Sequence, residues 1–93
     1  MSTLSLYKSD MYYVYLLKSI KRDWRYVGYT NNLRARFTEH QKGFSLATRP
    51  YRPFDLVFYE AYKSSANAKR REGYFKTNPG KRTLKLMLAE SLR

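Results

Sequence analysis

YYVYLLK (residues 12–18) and WRYVGY (residues 24–29) flank a polar stretch from Lys18 to Asp23. Both runs are rich in aromatic and β-branched residues, and the stretch between them suits a hairpin loop, so together they read as two antiparallel strands. Setting Lys18 opposite Asp23 places Tyr15 opposite Tyr26. Directly opposed residues project from one face of an antiparallel pair, with Cβ atoms roughly 5 Å apart. A slip of one residue would send the two phenols to opposite faces. The expected register therefore brings two phenolic hydroxyls together on one side of a sheet.

Working outward, Thr30, Asn31 and Asn32 supply N-cap chemistry for a helix from Leu33 to about Lys42, closed by Gly43. Leu33 and Phe37 anchor its apolar stripe, and Arg36 and His40, four residues apart, stack beside it. Residues 43–53 carry Thr48, Arg49, Pro50, Arg52 and Pro53 and read as an irregular loop. LVFYEAY, residues 56–62, is a nearly continuous apolar run and is expected to be the central, doubly covered strand. Ser64 or Ser65 caps a second helix that runs to about Lys76. Asn78, Pro79 and Gly80 are expected to break it, and a short third helix follows on Leu84, Met87, Leu88 and Leu92. The order is β-β-α-β-α-α, an α+β class with a small three-stranded antiparallel sheet flanked by helices. Residues 1–10 have little pattern and are expected to form an arm, with residues 11–93 as one domain and Met11 a candidate second start.

A chain of 93 residues has room for one core. Its 19 Lys and Arg against 7 Asp and Glu give a net charge of +12, which points to a polyanion partner, most often nucleic acid. Cysteine is absent, which removes disulfides, thiol catalysis and Cys-based zinc sites. His40 is the single histidine, so paired-His zinc helices are excluded as well. No apolar run approaches the roughly 18 residues of a membrane span, and the N-terminus lacks the pattern of a secretory signal. A cytoplasmic protein with no membrane partner is the expectation. Ten tyrosines complete the unusual composition.

Glu72 is the odd residue. It lies on the stripe Ala68, Arg71, Glu72, Phe75, the spacing of a buried helix face. A carboxylate there should be paired, hydrogen-bonded or bound to a cation. The plainer reading is an exposed ion pair with Lys69 or Lys76. Taken alone, Tyr15 and Tyr26 read first as half-buried strand tyrosines, with Arg36 open to reading as a solvated cation and His40 as a surface imidazole.

Taken together, YVY at 13–15, YVG at 26–28, YTNNLRARFTEH at 29–40 and AKRREGYFKTNPGKR at 68–82 resemble the GIY-YIG nuclease family. The likeness is to small stand-alone members similar to the nuclease domain of the bacterial ABC excinuclease. It covers about residues 11–90 and implies a GIY-YIG-like fold. By that resemblance Tyr15 and Tyr26 are the two motif tyrosines, Gly28 is the glycine of the second motif, and Arg36 contacts the scissile phosphate. His40 fills a position that holds histidine or tyrosine, and Glu72 is the carboxylate that binds one divalent metal, Mg²⁺ or Mn²⁺. Asn78 lies near a late asparagine of many members. Two departures stand out: Tyr13 replaces the leading glycine, and Tyr29 occupies the place of a lysine in the excinuclease domain.

The chemistry can be argued without the family. Phosphodiester hydrolysis needs an activated water, neutralised phosphoryl oxygens and a stabilised leaving oxygen. A carboxylate-held divalent ion acts as Lewis acid, and an arginine clamps phosphate with its planar fork. Either phenol could take the proton; Tyr26 is preferred, with Tyr15 orienting the water and His40 relaying. Lys69, Arg70, Lys76, Lys81 and Arg82 are candidate phosphate contacts. The expectation is a metal-dependent endonuclease acting on DNA, branched or damaged DNA included, with low sequence specificity unless a protein partner supplies it. The alternative is a non-catalytic basic module that holds phosphates and stacks bases on aromatics.

Overall fold

The computed structural model describes residues 11–93; the expected N-terminal arm, residues 1–10, lies outside that range. The elements are β1 (Tyr12–Ser19), β2 (Arg25–Thr30), α1 (Leu33–Lys42), a 3₁₀ turn (Arg49–Tyr51), β3 (Phe54–Tyr62), α2 (Ser65–Phe75) and α3 (Asn78–Met87). The expected β-β-α-β-α-α order and α+β class hold.

The sheet is antiparallel throughout, in the order β2-β1-β3. Central β1 is covered on both faces, because its side chains alternate between two cores. Val14 and Leu16 pack with Ala68 and Phe75 of α2 and Leu84 of α3. Tyr15 and Leu17 pack on the other side with Phe54, Leu33, Phe37, Trp24 and Tyr26. The molecule is thus three layers: α2 and α3, the sheet, then α1 with the 3₁₀ turn.

Four sequence expectations are corrected. LVFYEAY is not the central strand. β3 is an edge, with Asp55, Tyr59 and Ala61 exposed at alternate positions, and an apolar run containing tyrosine and alanine hides that alternation. The hairpin register is displaced by two residues: Tyr15 faces Gly28, and Tyr26 faces Leu17. A shift of two preserves the face of every side chain, so Tyr15 and Tyr26 remain on one side, as diagonal neighbours with ring centroids 6.4 Å apart. Asn78, Pro79 and Gly80 open α3. Thr77 is its N-cap, its hydroxyl accepting from the Gly80 N–H at 3.1 Å, and proline is tolerated in a first turn whose N–H groups lack intrahelical partners. Met87 is 46% exposed and is not part of the packed face, which uses Leu84, Leu88 and Leu92.

Capping fixes the other helices where expected. Asn32 Oδ1 accepts from the Ala35 N–H at 3.1 Å, and Ser64 Oγ from the Asn67 N–H at 3.3 Å. Gly43 takes φ of +81° and ends α1, its N–H meeting the His40 carbonyl at 3.1 Å.

Candidate active site

Tyr15 carries its phenol across the β1–β2 pair to the space above Gly28. A Cβ on Gly28 would overlap the hydroxyl end of that ring, so the glycine of YVG is required by the tyrosine of YVY. Gly28→Ala is therefore expected to displace the phenol and cost about 1–3 kcal/mol. Urea unfolding checks this; a variant as stable as the parent would show that the ring does not lie there.

The hydroxyl end of Tyr15 is buried against α1, where Tyr15 Oη and His40 Nε2 lie 2.8 Å apart. His40 is itself fully buried, and its Nδ1 lies 2.8 Å from Thr48 Oγ1. Thr48 Oγ1 in turn reaches the Ser45 carbonyl at 3.5 Å. A carbonyl can only accept, which sets the direction of the chain: Thr48 donates to Ser45, His40 Nδ1–H to Thr48, and Tyr15 O–H to His40 Nε2. The imidazole is then neutral. Burial, with the Arg36 charge adding to it, lowers the His40 pKa to about 4. Burial likewise pushes the Tyr15 phenol up to about 12, with the Arg36 guanidinium opposing and the charges of Tyr26 and Glu72 adding to the rise. Tyr15 is thus a settled proton donor to His40.

This burial has a measurable consequence. The unfolded chain carries an ordinary imidazole that protonates near pH 6.5, while the folded one resists protonation to about pH 4. Stability is therefore greatest above pH 6.5, falls as the pH drops toward 4, and loses on the order of 3 kcal/mol across that window. The difference in unfolding free energy between the parent and His40→Gln, measured from pH 7 to 4, should shrink accordingly. A constant difference would mean that His40 titrates normally in the fold.

Arg36 lies beside the same phenol and forms a 3.0 Å ion pair with Glu39 one turn on. Tyr26 stands next to this group, its ring centroid 5.5 Å from that of His40, and its hydroxyl makes no hydrogen bond among the described residues. Tyr15, Tyr26, Arg36 and His40 are thus brought together between the sheet and α1.

Glu72 arrives from the other layer. Its carboxylate pairs with Lys76 Nζ at 3.2 Å, and the same ammonium sits 5.6 Å over the Tyr26 ring, which joins Glu72 to the cluster around the outer edge of β2. The plainer expectation, a Lys76 pair, is what the geometry contains, and the Glu72 side chain is 25% exposed. Lys76 meets Oε2, and Oε1 has no hydrogen-bond partner among the described residues. Arg71, its neighbour on the stripe, is committed elsewhere, to Glu60 at 2.9 and 3.1 Å.

The five candidate phosphate contacts are all exposed, but they differ in company. Lys69 lies 5.4 Å over the Tyr29 ring, Arg70 reaches Asn67 at 3.3 Å, Lys76 holds Glu72, and Arg82 stands on the surface of α3. Lys81 lines a cleft of about 560 Å³ beside β2, together with Arg25, Tyr26, Lys76 and Lys85. Asn78 is exposed in the first turn of α3. Sequence reasoning misses Arg25 and Lys85 as cleft cations; the i, i+4 spacing of Lys81 and Lys85 is the available signal. It misses Thr48 too, since a lone threonine in a basic loop gives no sign that it orients a histidine. Trp24 stacks on Tyr51 at 3.8 Å and stands next to Tyr26, a contact that β2 and the 3₁₀ turn make only in three dimensions.

Two tyrosines, an arginine, a histidine and a carboxylate are thus carried on a small α+β fold. Residues 11–85 match the GIY-YIG catalytic domain, and the chain belongs to the GIY-YIG family, a nuclease superfamily. It is similar to a UPF0213 protein of Clostridium perfringens, 36% identical over 84 residues and 89% of each chain. A UPF0213 protein of Staphylococcus haemolyticus is 38% identical over 77 residues, 82% of this chain and 93% of the relative. The UPF0213 protein YazA of Bacillus subtilis is 33% identical over 70 residues, 74% of this chain and 70% of the relative. No solved structure gives a significant match. Among the described residues no helix is long and apolar enough to cross a membrane.

Proposed function

We propose that this chain is a divalent-metal-dependent endonuclease that hydrolyses DNA phosphodiester bonds with low sequence specificity, in the cytoplasm. The observation that carries the proposal is the gathering of Tyr15, Tyr26, Arg36 and Glu72 around one end of the cationic β2 edge.

The residues fit a hard divalent ion of the Mg²⁺ or Mn²⁺ kind, though only just. No group of three or more His, Cys, Asp or Glu occurs among the described residues, so Glu72 alone would hold it, with water and a substrate phosphate completing the shell. Its unpaired Oε1 and half-open position suit that arrangement. When bound, such an ion supplies Lewis-acid neutralisation of phosphoryl charge and acidifies water. The chain's own groups do the rest. Arg36 holds the scissile phosphate through its planar fork, for which release from Glu39 costs little because that i, i+3 pair is partly open to solvent. Tyr15, its proton committed to His40, keeps its phenol oxygen as an acceptor, which would orient a water admitted beside it. Tyr26, with a hydroxyl not engaged by the fold, gives its own proton to solvent and then, as the phenolate, takes the water's proton.

The Glu72–Lys76 pair favours the second reading, a non-catalytic binder, because the carboxylate already has a counter-ion. Incubation with plasmid and branched DNA in Mg²⁺, Mn²⁺ or EDTA separates the two. Cleavage in either metal and none in EDTA is expected; binding without cleavage would establish the binder. Under both readings affinity should fall steeply with salt. If Lys69, Arg70, Lys81 and Arg82 each meet a phosphate, the log–log slope is about −3.6, from roughly −0.9 per contact. A slope near zero would mean that the net charge of +12 serves a partner other than DNA.

A further inference from the structure

The loop between α1 and β3 combines two features that small domains rarely place together. Phe44 is 67% and Leu46 is 76% exposed, so two large apolar side chains stand in water two residues apart. Isolated exposed apolar residues are ordinary, but a pair on one tip is less so. The loop that presents them is also held firmly. Phe44 N–H donates to the Glu39 carbonyl at 3.0 Å, Arg49 Nε to the Gly43 carbonyl at 2.8 Å, and the Arg49 N–H to the Ser45 carbonyl at 2.9 Å. A loop tied at these points cannot readily fold the pair inward.

Its charge is one-sided. From Gln41 to Phe54 the chain carries Lys42, Arg49 and Arg52 and no acidic residue. Apolar tips between phosphate-seeking cations are the chemistry of a wedge: the cations hold the backbone while the side chains enter between bases and replace stacking. Unpaired or poorly stacked bases are the least costly to part. The loop is also wired to the candidate site, since Thr48, two residues beyond Leu46, hydrogen-bonds the His40 that orients Tyr15. Two residues span at most about 7 Å, so Leu46 lies within that reach of the threonine that holds His40.

We propose that Phe44 and Leu46 form a wedge that selects DNA containing unpaired or unstacked bases, such as a fork or bulge, and seats it beside Tyr15. This rests on the nuclease reading for its biological sense but not for its test. Anisotropy titrations of the full chain in EDTA compare a paired duplex with a forked duplex of the same sequence, and 2-aminopurine placed at the junction reports unstacking. The parent is expected to prefer the fork and to raise 2-aminopurine fluorescence. Phe44→Ser with Leu46→Ser should weaken fork binding about tenfold, leave duplex binding within about twofold and abolish the fluorescence rise. Both side chains are solvent-facing, so unfolding is not expected, and circular dichroism checks it. Equal affinities of the parent for fork and duplex would overturn the wedge. So would a double variant that binds the fork unchanged, in which case the apolar tip faces a protein. Because no turnover is read, a chain that unstacks forks yet cuts nothing would sink the nuclease reading and leave the wedge standing.

Discussion

Glu72→Gln is expected to lower metal-dependent cleavage by about a thousandfold or more while leaving the fold nearly unchanged. The substitution keeps volume and polarity but removes the charge, and Glu72 is the carboxylate that the Lys76 ammonium joins to the Tyr26 ring. Losing several kcal/mol of transition-state charge stabilisation corresponds to a rate loss of that order. The stability effect is small because the Lys76 partner is an i, i+4 surface pair worth about 0.3–0.5 kcal/mol, or a Tm shift of about 1–4 °C in a domain this size. Single-turnover cleavage and a thermal melt give both numbers. Full activity in Glu72→Gln would remove Glu72 as the ligand, and gross unfolding would show that the ion pair is its chief role.

The second large effect is expected at Tyr15, and it should differ in kind from that at Tyr26. Tyr15→Phe removes the donor to His40 Nε2 and leaves that buried acceptor without its partner, which costs about 1–3 kcal/mol of stability. It also removes the oxygen that orients the attacking water, so cleavage should fall about a hundredfold or more. Tyr26→Phe should depress cleavage comparably with little change in stability, because its hydroxyl has no partner in the fold among the described residues. Urea unfolding of both variants beside their single-turnover rates separates the roles. Equal stability losses would mean that Tyr26 is held as tightly as Tyr15.

Much of this arrangement is legible in the chain, and its gaps have physical causes. The two phenols share a face because parity survives a two-residue slip. Their pairing partners do not, because counting polar residues gives a loop length without its turn geometry. Arg36 and His40 can be placed together because helical spacing is local. That His40 is buried and neutral is invisible, since it depends on Thr48 and on a loop whose course the sequence does not specify. β3 reads as central because a run of apolar residues looks alike on a buried strand and on an edge padded with tyrosine. Asn-Pro-Gly looks like an ending because proline terminates helices from within, yet it also begins them, and Thr77 one position earlier is the signal for a start. Glu72 carries both of its readings openly: the stripe points inward, and Lys76 four residues on offers the pair.

The most direct test of the proposed site is to locate Mn²⁺ by its anomalous scattering in a crystal of the protein bound to DNA with an uncleavable phosphorothioate linkage. One ion is expected at the Glu72 carboxylate, about 2.1 Å from Oε1 or Oε2, against a phosphate that Arg36 also holds. A complex with DNA in place, Mn²⁺ absent from Glu72 and the Lys76 pair intact would contradict it.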